Sequence, residues 1–280
     1  KIKIIHAHTQ RAAFLACLIK YIFLLKDLRI IYTPHGFRHS QLFSIKYFIH
    51  LLIEKFILNI INHIILISRD ELLILKSLRK IEISKTFIPT AIPRIKYKKS
   101  ISLKKKLKIK KDSKIILMCG SVQNIKQPNL FIEIAEKLLK IYPDIFFVWL
   151  GKKIDTTIKY DKSRIKFFGN ISDKVKYHSY MRSADIFLMT SKIETYPLSI
   201  LEAKKIGLKI VCNNFRGANK IIKKSSSEYL FKYNNIDNAV MILKKILSNK
   251  KIFLKNDSLY NENQINLFCK KHIDIYRSIN

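Results

Sequence analysis

The chain has 280 residues, 48% of them hydrophobic, which suffices for a sizeable core and fits two domains about as well as one. Its 54 Lys and Arg against 20 Asp and Glu give a formal charge of +34, the sign of proteins that meet polyanions. Lysine greatly outnumbers arginine, however, and is spread along the whole length with Ile and Asn, as AT-rich codon usage produces, so no specific nucleic-acid partner is expected.

In chain order, the sequence predicts a strand at 3–6, a helix at 12–25, a strand at 28–33, the turn PHGF at 34–37, a helical pattern at 41–61 and a strand at 63–68. Residues 89–111, with Pro89, Pro93 and the lysine-rich run 103–111, are expected to link two domains, the run itself being compatible with a short surface helix. Alternation then restarts: strand 114–119, helix 128–141, strands 145–151 and 164–170, helix 173–183, strand 185–191, helix 197–206 and strand 209–213, with closing helices at 236–248 and 264–278. Strands alternating with helices predict βα units on two open parallel sheets. The expected division is 1–94, 95–258 and a C-terminal helix segment, 259–280, packing back towards the first domain.

Cys17, Cys119, Cys212 and Cys269 are isolated, without CxxC or histidine at metal-ligand spacing, so buried thiols in a reducing compartment and no metal are expected. The most apolar stretch, 42–67, is broken by Lys46, His50, Glu54, Lys55 and His63 and does not qualify as a membrane span. The chain enters a strand-like segment at once, from Lys1, and is expected to be an N-terminally truncated piece lacking its first βα unit.

Open parallel sheets bind ligands outside the carboxyl ends of their strands. Gly120 to Lys126, Gly151, Gly169, Glu194 and Asn213 to Gly217 follow five successive strands of the second half. Among them, SKIETYPLSILEA (191–203) places Glu194 and Glu202 eight positions apart at a loop-to-helix junction. Pro197 suits a first helical turn, and the start of a helix offers unpaired N–H groups to an anion. Glu202, about two turns in, could accept from hydroxyls. Spacing alone favours the plainer reading, with Glu194 a solvated loop residue and Glu202 on an exposed helix face.

In its setting, SKIETYPLSILEAKKIGLKIV (191–211), this pair resembles the E-x7-E signature of retaining glycosyltransferases of family 4. IHAHT (5–9), YTPHGF (32–37), ILISRDE (65–71), GSVQNIKQPNLFIEIAEKL (120–138), FFGNIS (167–172) and ADIFLMTS (184–191) resemble that family's other landmarks in order, over essentially the whole chain. The resemblance implies an α/β GT-B fold of two Rossmann-like domains facing across a cleft, the N-terminal one incomplete. It implies transfer of a hexose-like group, with retention, from a nucleotide-diphosphate sugar to a hydroxyl acceptor in bacterial surface polysaccharide or lipopolysaccharide assembly. A UDP-sugar is the preferred donor and a GDP-sugar the second, with no cofactor and no metal. The partners implied are the nucleotide sugar and a glycan or lipid-linked acceptor on the cytoplasmic side. Residues 41–61 are open to two readings: peripheral contact with an anionic membrane at the inner face of the plasma membrane, or simple packing on the first sheet.

Residue by residue, the resemblance gives Glu202 the ribose hydroxyls and Glu194 the transferred sugar. It gives Lys126 the diphosphate, with Gly120 in the turn before it and the backbone around Thr195, Tyr196, Pro197 and Leu198 assisting. His35 and Glu194 are the implied catalytic pair, Gly36 permits close approach, and His8 and Arg11 lie on the acceptor side. Ser121 departs from the family by standing where an arginine is usual, and Lys220 or Arg216 is a candidate replacement. The alternatives are an inactive truncated remnant, a nucleotide-sugar-binding module, or an epimerase or phosphorylase on the same fold. His6 is expected nearer the sheet interior, His39, His50, His63, His178 and His272 on the surface or helices, Asp185 as a helix cap, and Phe146, Phe147 and Trp149 in the core.

Overall fold

The computed structural model describes residues 2–37, 45–78, 83–92, 94–152, 160–215, 217–223, 225, 227–249 and 262–279; His39 and Arg216 lie outside them. The chain divides into two units, Lys1–Ala91 with Asn261–Asn280, and Ile92–Tyr260.

In the first unit, β1 (Ile4–His8), α1 (Gln10–Ile22), β2 (Arg29–Thr33), α2 (Ile45–Ile60), β3 (His63–Leu66), α3 (Arg69–Ser77) and β4 (Ser84–Phe87) build a parallel sheet in the order β1-β2-β3-β4. Parallel neighbours need a crossover, and α1 and α2 supply the first two. Side chains alternate along a strand, so β2 sends Ile30 and Tyr32 into a core with Ala13, Cys17, Ile57 and Ile64. Ile31 points to the other face and meets Ile65, Ile88 and Ile275 of the C-terminal helix (Glu262–Ile279). β4, SKTF, has no apolar run, and it escapes a periodicity reading because it is an edge strand whose residues are mostly exposed. Its hydroxyls explain His63, which is buried rather than on the surface: Nδ1 bonds Ser84 Oγ at 2.8 Å and Nε2 bonds Thr86 Oγ1 at 3.0 Å.

The second unit holds α4 (Leu103–Leu107), β5 (Ile115–Cys119), α5 (Pro128–Leu139), β6 (Phe146–Leu150), β7 (Ile165–Phe168), α6 (Lys174–Ser183), β8 (Ile186–Met189), α7 (Leu198–Ile206), β9 (Lys209–Asn213), α8 (Ala218–Ile221), β10 (Glu228–Phe231) and α9 (Ile236–Ser248). Its strands pair in parallel in the order β10-β9-β8-β5-β6-β7. The chain adds β6 and β7 on one side of β5, then crosses back to add β8, β9 and β10 on the other. The carboxyl ends of β5 and β8 therefore flank the point where strand order reverses, the usual ligand crevice of such sheets. β5, β6, β8 and β9 are buried along their whole length, as continuous apolar runs require in a sheet covered on both faces. Trp149 and Phe147 are fully enclosed with Phe131, and Trp149 Nε1 donates to Gly120 O at 2.7 Å.

Four expectations are corrected. The segment expected to link the domains is tied into the second unit from Ile92 onwards: Leu103 is fully buried, and the Lys98 and Leu103 N–H groups donate to Ser179 and Ser183 on α6. Asp185 caps no helix; buried, it accepts from Ile115 N at 3.0 Å and Lys114 Nζ at 3.2 Å, which ties β8 to the start of β5. Cys17, Cys119 and Cys212 are buried but Cys269, on the C-terminal helix, is exposed. Pro197 is the N-cap of α7 and not its first helical residue, whereas Pro128 does open α5.

Candidate functional site

At the end of β5 the chain turns at Gly120, whose φ of +136° few other residues adopt, and enters a short 3-10 turn over Asn124–Lys126. Gly151, at the end of β6, lies so close that a Cβ there would stand 1.9 Å from Gly120 O. Only glycine lets the two strand ends converge. Two hydrogen bonds then stitch the β5 loop to the β8 end: Thr190 Oγ1 donates to Lys126 O at 2.8 Å, and Lys192 N to Ile125 O at 2.8 Å. So held, Lys126 Nζ forms an ion pair with Glu194 in the loop after β8, both side chains largely enclosed.

From Glu194 the chain runs through Thr195 and the half-buried Tyr196 to α7, whose Pro197 N-cap provides no side-chain hydrogen bond. The first turn of α7 also lacks an acidic residue, so its amide dipoles face the Lys126–Glu194 loops without a capping carboxylate. One turn on, Glu202 is neither solvated nor on an open helix face. Tyr177 Oη donates to Glu202 Oε2 at 3.1 Å, and His178 Nε2 lies 3.4 Å from Glu202 Oε1. Burial, with the neighbouring Cys119 and Glu202, drives the Tyr177 phenol well above its ordinary range, so it stays protonated and donating. Both partners come from α6 and lie far from Glu202 in sequence; His178, expected on the surface or a helix, is on a helix but buried.

Beneath these loops sits Asn213, the last residue of β9, with no exposed surface. Its Nδ2 lies 3.1 Å from Gln127 Oε1, 3.3 Å from Thr190 O, 3.2 Å from Ser191 O and 3.1 Å from Asn234 Oδ1, while its Oδ1 accepts from Asn234 N at 3.0 Å. One amide thereby joins the ends of β5, β8, β9 and β10. A polar residue ending the apolar run KIVCN was the available sign of it, but that sign marks a strand end and names no partners.

In the first unit the carboxyl ends of β1, β2 and β3 bring other predicted residues together. His8 Nδ1 and His35 Nε2 are 2.8 Å apart with stacked rings, so one nitrogen donates and the other accepts. His35 (φ +54°) and Gly36 (φ +105°) make a left-handed turn, fixed where Gly36 N donates to Glu71 Oε1 at 2.6 Å. Glu71, 1% exposed, also accepts from Ile67 N and Ser68 N and completes a capping box with Ser68 at the start of α3. Glu71 is a carboxylate that shapes the His35 turn without appearing among the sequence candidates. Arg11 is exposed on the first turn of α1. His6 is structural: it bonds Tyr276 Oη at 2.7 Å and Thr33 Oγ1 at 2.8 Å, and burial, followed by the nearby histidines, lowers it to about 4. Burial also lowers His8 and His35, which are neutral near pH 7.

The model of a protein family described as "Glycosyl transferases group 1" matches residues 99–264. The UDP-Gal:alpha-D-GlcNAc-diphosphoundecaprenol alpha-1,3-galactosyltransferase of Escherichia coli is 24% identical over 279 residues, covering 94% of this chain and 70% of the relative. The O-antigen biosynthesis glycosyltransferase WclY of Escherichia coli is 26% identical over 228 residues, 75% of this chain and 61% of the relative. Among solved structures, Anabaena HepE in complex with UDP and glucose superposes with a TM-score of 0.77 at 14% identity, covering 99% of this chain and 78% of that one. WaaG, a glycosyltransferase involved in lipopolysaccharide biosynthesis, does so with a TM-score of 0.68 at 15% identity, covering 85% and 74%. These likenesses are of fold, and the fold they share is the GT-B arrangement of two parallel-sheet Rossmann-like units.

Proposed function

The chain belongs to the glycosyl transferases group 1 family, and from that premise we propose a retaining, family 4 glycosyltransferase that moves a hexose from a UDP-sugar to a hydroxyl of a glycan or lipid-linked acceptor. The setting we infer is bacterial surface polysaccharide or lipopolysaccharide assembly on the cytoplasmic side. The diphosphoundecaprenol-linked acceptor in the name of one relative and the O-antigen role of another support this choice of acceptor class.

The observation that carries the reading is the Lys126–Glu194 pair at the strand-order reversal, beside the uncapped start of α7. In the proposed complex Lys126 turns its charge to the diphosphate and the α7 amides add theirs, stabilising the leaving group as the anomeric bond breaks. Glu194, released from Lys126, accepts from hydroxyls of the transferred sugar. Glu202 has two oxygens with lone pairs beyond those used by Tyr177 and His178, enough for two ribose hydroxyls. His35 acts at the reaction centre, with Gly36 giving it room and His8 and Arg11 on the acceptor side. The acceptor hydroxyl oxygen bonds to the anomeric carbon as the bond from that carbon to the diphosphate breaks, with configuration kept and the hydroxyl proton passing to the departing diphosphate, and neither metal nor cofactor enters the scheme.

A thermal-shift panel of UDP-, GDP- and ADP-sugars tests it. UDP-sugar should raise the melting temperature of the wild type and not of Glu202→Ala. No stabilisation by any of the three would sink the reading.

A further inference from the structure

A cavity of about 500 Å3 lies between the starts of α5 and α9, and neither Lys126 nor Glu194 lines it. Its size falls among small-molecule sites, which run to about 300–1,000 Å3. Five polar side chains wall it: Asn124, Gln127, Asn129 and Glu133 around the start of α5, and Asn234 before α9. Pro128 and Leu130, both buried, and the half-buried Ile236 supply its apolar part. α5 and α9 pack on one core through Ile134, Leu138, Ala239 and Leu243, which fixes the spacing of the walls.

Part of the wall is held in one arrangement. Gln127 (φ +50°) and Asn234 (φ +54°) are both left-handed, a conformation uncommon outside glycine that persists where the surroundings enforce it. Their side chains meet, Gln127 Nε2 donating to Asn234 Oδ1 at 3.0 Å, and both are anchored on the fully buried amide of Asn213. Among the described residues, Asn234 Nδ2 and the side chains of Asn124, Asn129 and Glu133 make no hydrogen bond, which leaves three amides and a carboxylate to a ligand.

The chemistry of the lining selects the ligand. No lysine or arginine lines the cavity, although the chain has 54, and Glu133 adds a negative charge, so an anion is disfavoured there. One carboxylate is too few for a metal ion, and no group of three metal-ligating side chains occurs among the described residues. A wholly apolar ligand would strip water from five polar side chains and give them no partner. Side-chain amides offer a donor and an acceptor in one plane, a carboxylate accepts from two hydroxyls, and the apolar part can cover the C–H face of a ring. We propose that this cavity binds a neutral saccharide at a site separate from the Lys126–Glu194 loops. The inference stands on the cavity's own residues and does not need the transferase reading.

The test is saturation-transfer-difference NMR on the full chain with methyl α-glucoside, methyl α-galactoside, methyl N-acetyl-α-glucosaminide and maltotriose. At least one should bind saturably with a Kd on the order of 1–10 mM, the strength of a few exposed hydrogen bonds. Asn129→Ala/Glu133→Ala should weaken it about fivefold or more, and Asn129→Trp, which fills the cavity, should abolish it. Lys126→Met should bind the saccharide as wild type does. In that Lys126→Met background, glucose 1-phosphate should bind more weakly than methyl α-glucoside. Maltotriose binding tighter than methyl α-glucoside assigns the site to a glycan chain, and any other order among binders assigns it to a single sugar unit; both support the proposal. No saturable binding of any of the four by about 50 mM overturns it. So does wild-type binding by both cavity variants, loss of binding in Lys126→Met, or tighter binding of glucose 1-phosphate. Thermal melts confirm that the variants fold. UDP-sugar stabilisation should be equal in wild type and the two cavity variants; its absence in all of them refutes the transferase reading while leaving the saccharide result intact.

Discussion

Lys126 Nζ is ion-paired with the Glu194 carboxylate across the two loops that flank the strand-order reversal of the second sheet. Under the proposed roles, a lysine that meets the diphosphate and a glutamate that meets the sugar hydroxyls should have opposite effects on the binding of the nucleotide alone. Lys126→Met should weaken UDP about 10- to 100-fold, about 1.4–2.7 kcal/mol, through loss of a charge-assisted contact. Glu194→Gln should bind UDP at least as tightly as wild type, because the competitor for the ammonium is gone, and yet lose transfer. Titration calorimetry with UDP, beside a transfer assay, reads both. Equal weakening by the two substitutions would mean that the pair is structural.

Tyr177 bears on Glu202 in a way that kinetics can separate. Tyr177→Phe removes one hydrogen bond to Oε2 and keeps the ring that packs beside His178. Glu202 then samples more orientations, and KM for the sugar nucleotide should rise about three- to tenfold, about 0.6–1.4 kcal/mol and less than a full hydrogen bond to a charged group because Tyr177 acts only by orienting Glu202, with kcat nearly unchanged. A fall in kcat at constant KM would place Tyr177 at the chemistry instead.

Asn213, with no exposed surface, joins the loops beyond four strand ends, and its loss takes a partner from Asn234 N, Gln127 Oε1 and the carbonyls of the fully buried Thr190 and Ser191. Asn213→Leu should destabilise the second unit by about 2–4 kcal/mol. Trp149, the one tryptophan, is buried in that unit and reports its urea unfolding by fluorescence. A change below about 0.5 kcal/mol, the level of a neutral surface substitution, would show that the amide is dispensable.

The sequence discloses elements where apolar spacing is unambiguous and site residues where a loop position carries its own chemistry. β5, β6, β8 and β9 are legible because a strand covered on both faces is one apolar run. β4 and β10 are not, being edge strands with little apolar pattern, and their existence depends on neighbours distant in sequence. Lys126, Glu194 and Glu202 can be picked out by order and spacing, but that Lys126 meets Glu194 follows only from the crossover that places β8 beside β5. Tyr177 and Asn213 act through partners 21 or more positions away, which leaves no trace in local pattern; the Ser68–Glu71 capping box is a local pattern, but the bond from Gly36 to Glu71, 35 positions away, is not.

Glu54 gives the first unit a pH dependence of defined sign. It is 2% exposed, and burial pushes its carboxyl up to about 7 from 4.5, against the opposing hydrogen bonds of Tyr32 and Gln10 and with the help of the Glu71 charge. Between these values the unfolded chain has released the proton and the folded chain still holds it, so rising pH favours unfolding. The stabilising contribution is complete below about pH 4.5 and is lost by about pH 8, a change on the order of 3 kcal/mol. Glu54→Gln keeps the shape and the bond to Gln10 without the titration. The variant should be the more stable protein at pH 8 and close to wild type at pH 5, in urea melts followed by circular dichroism. Parallel pH profiles for the two proteins would mean that the carboxyl ionises normally in the fold and that its burial is relieved by water.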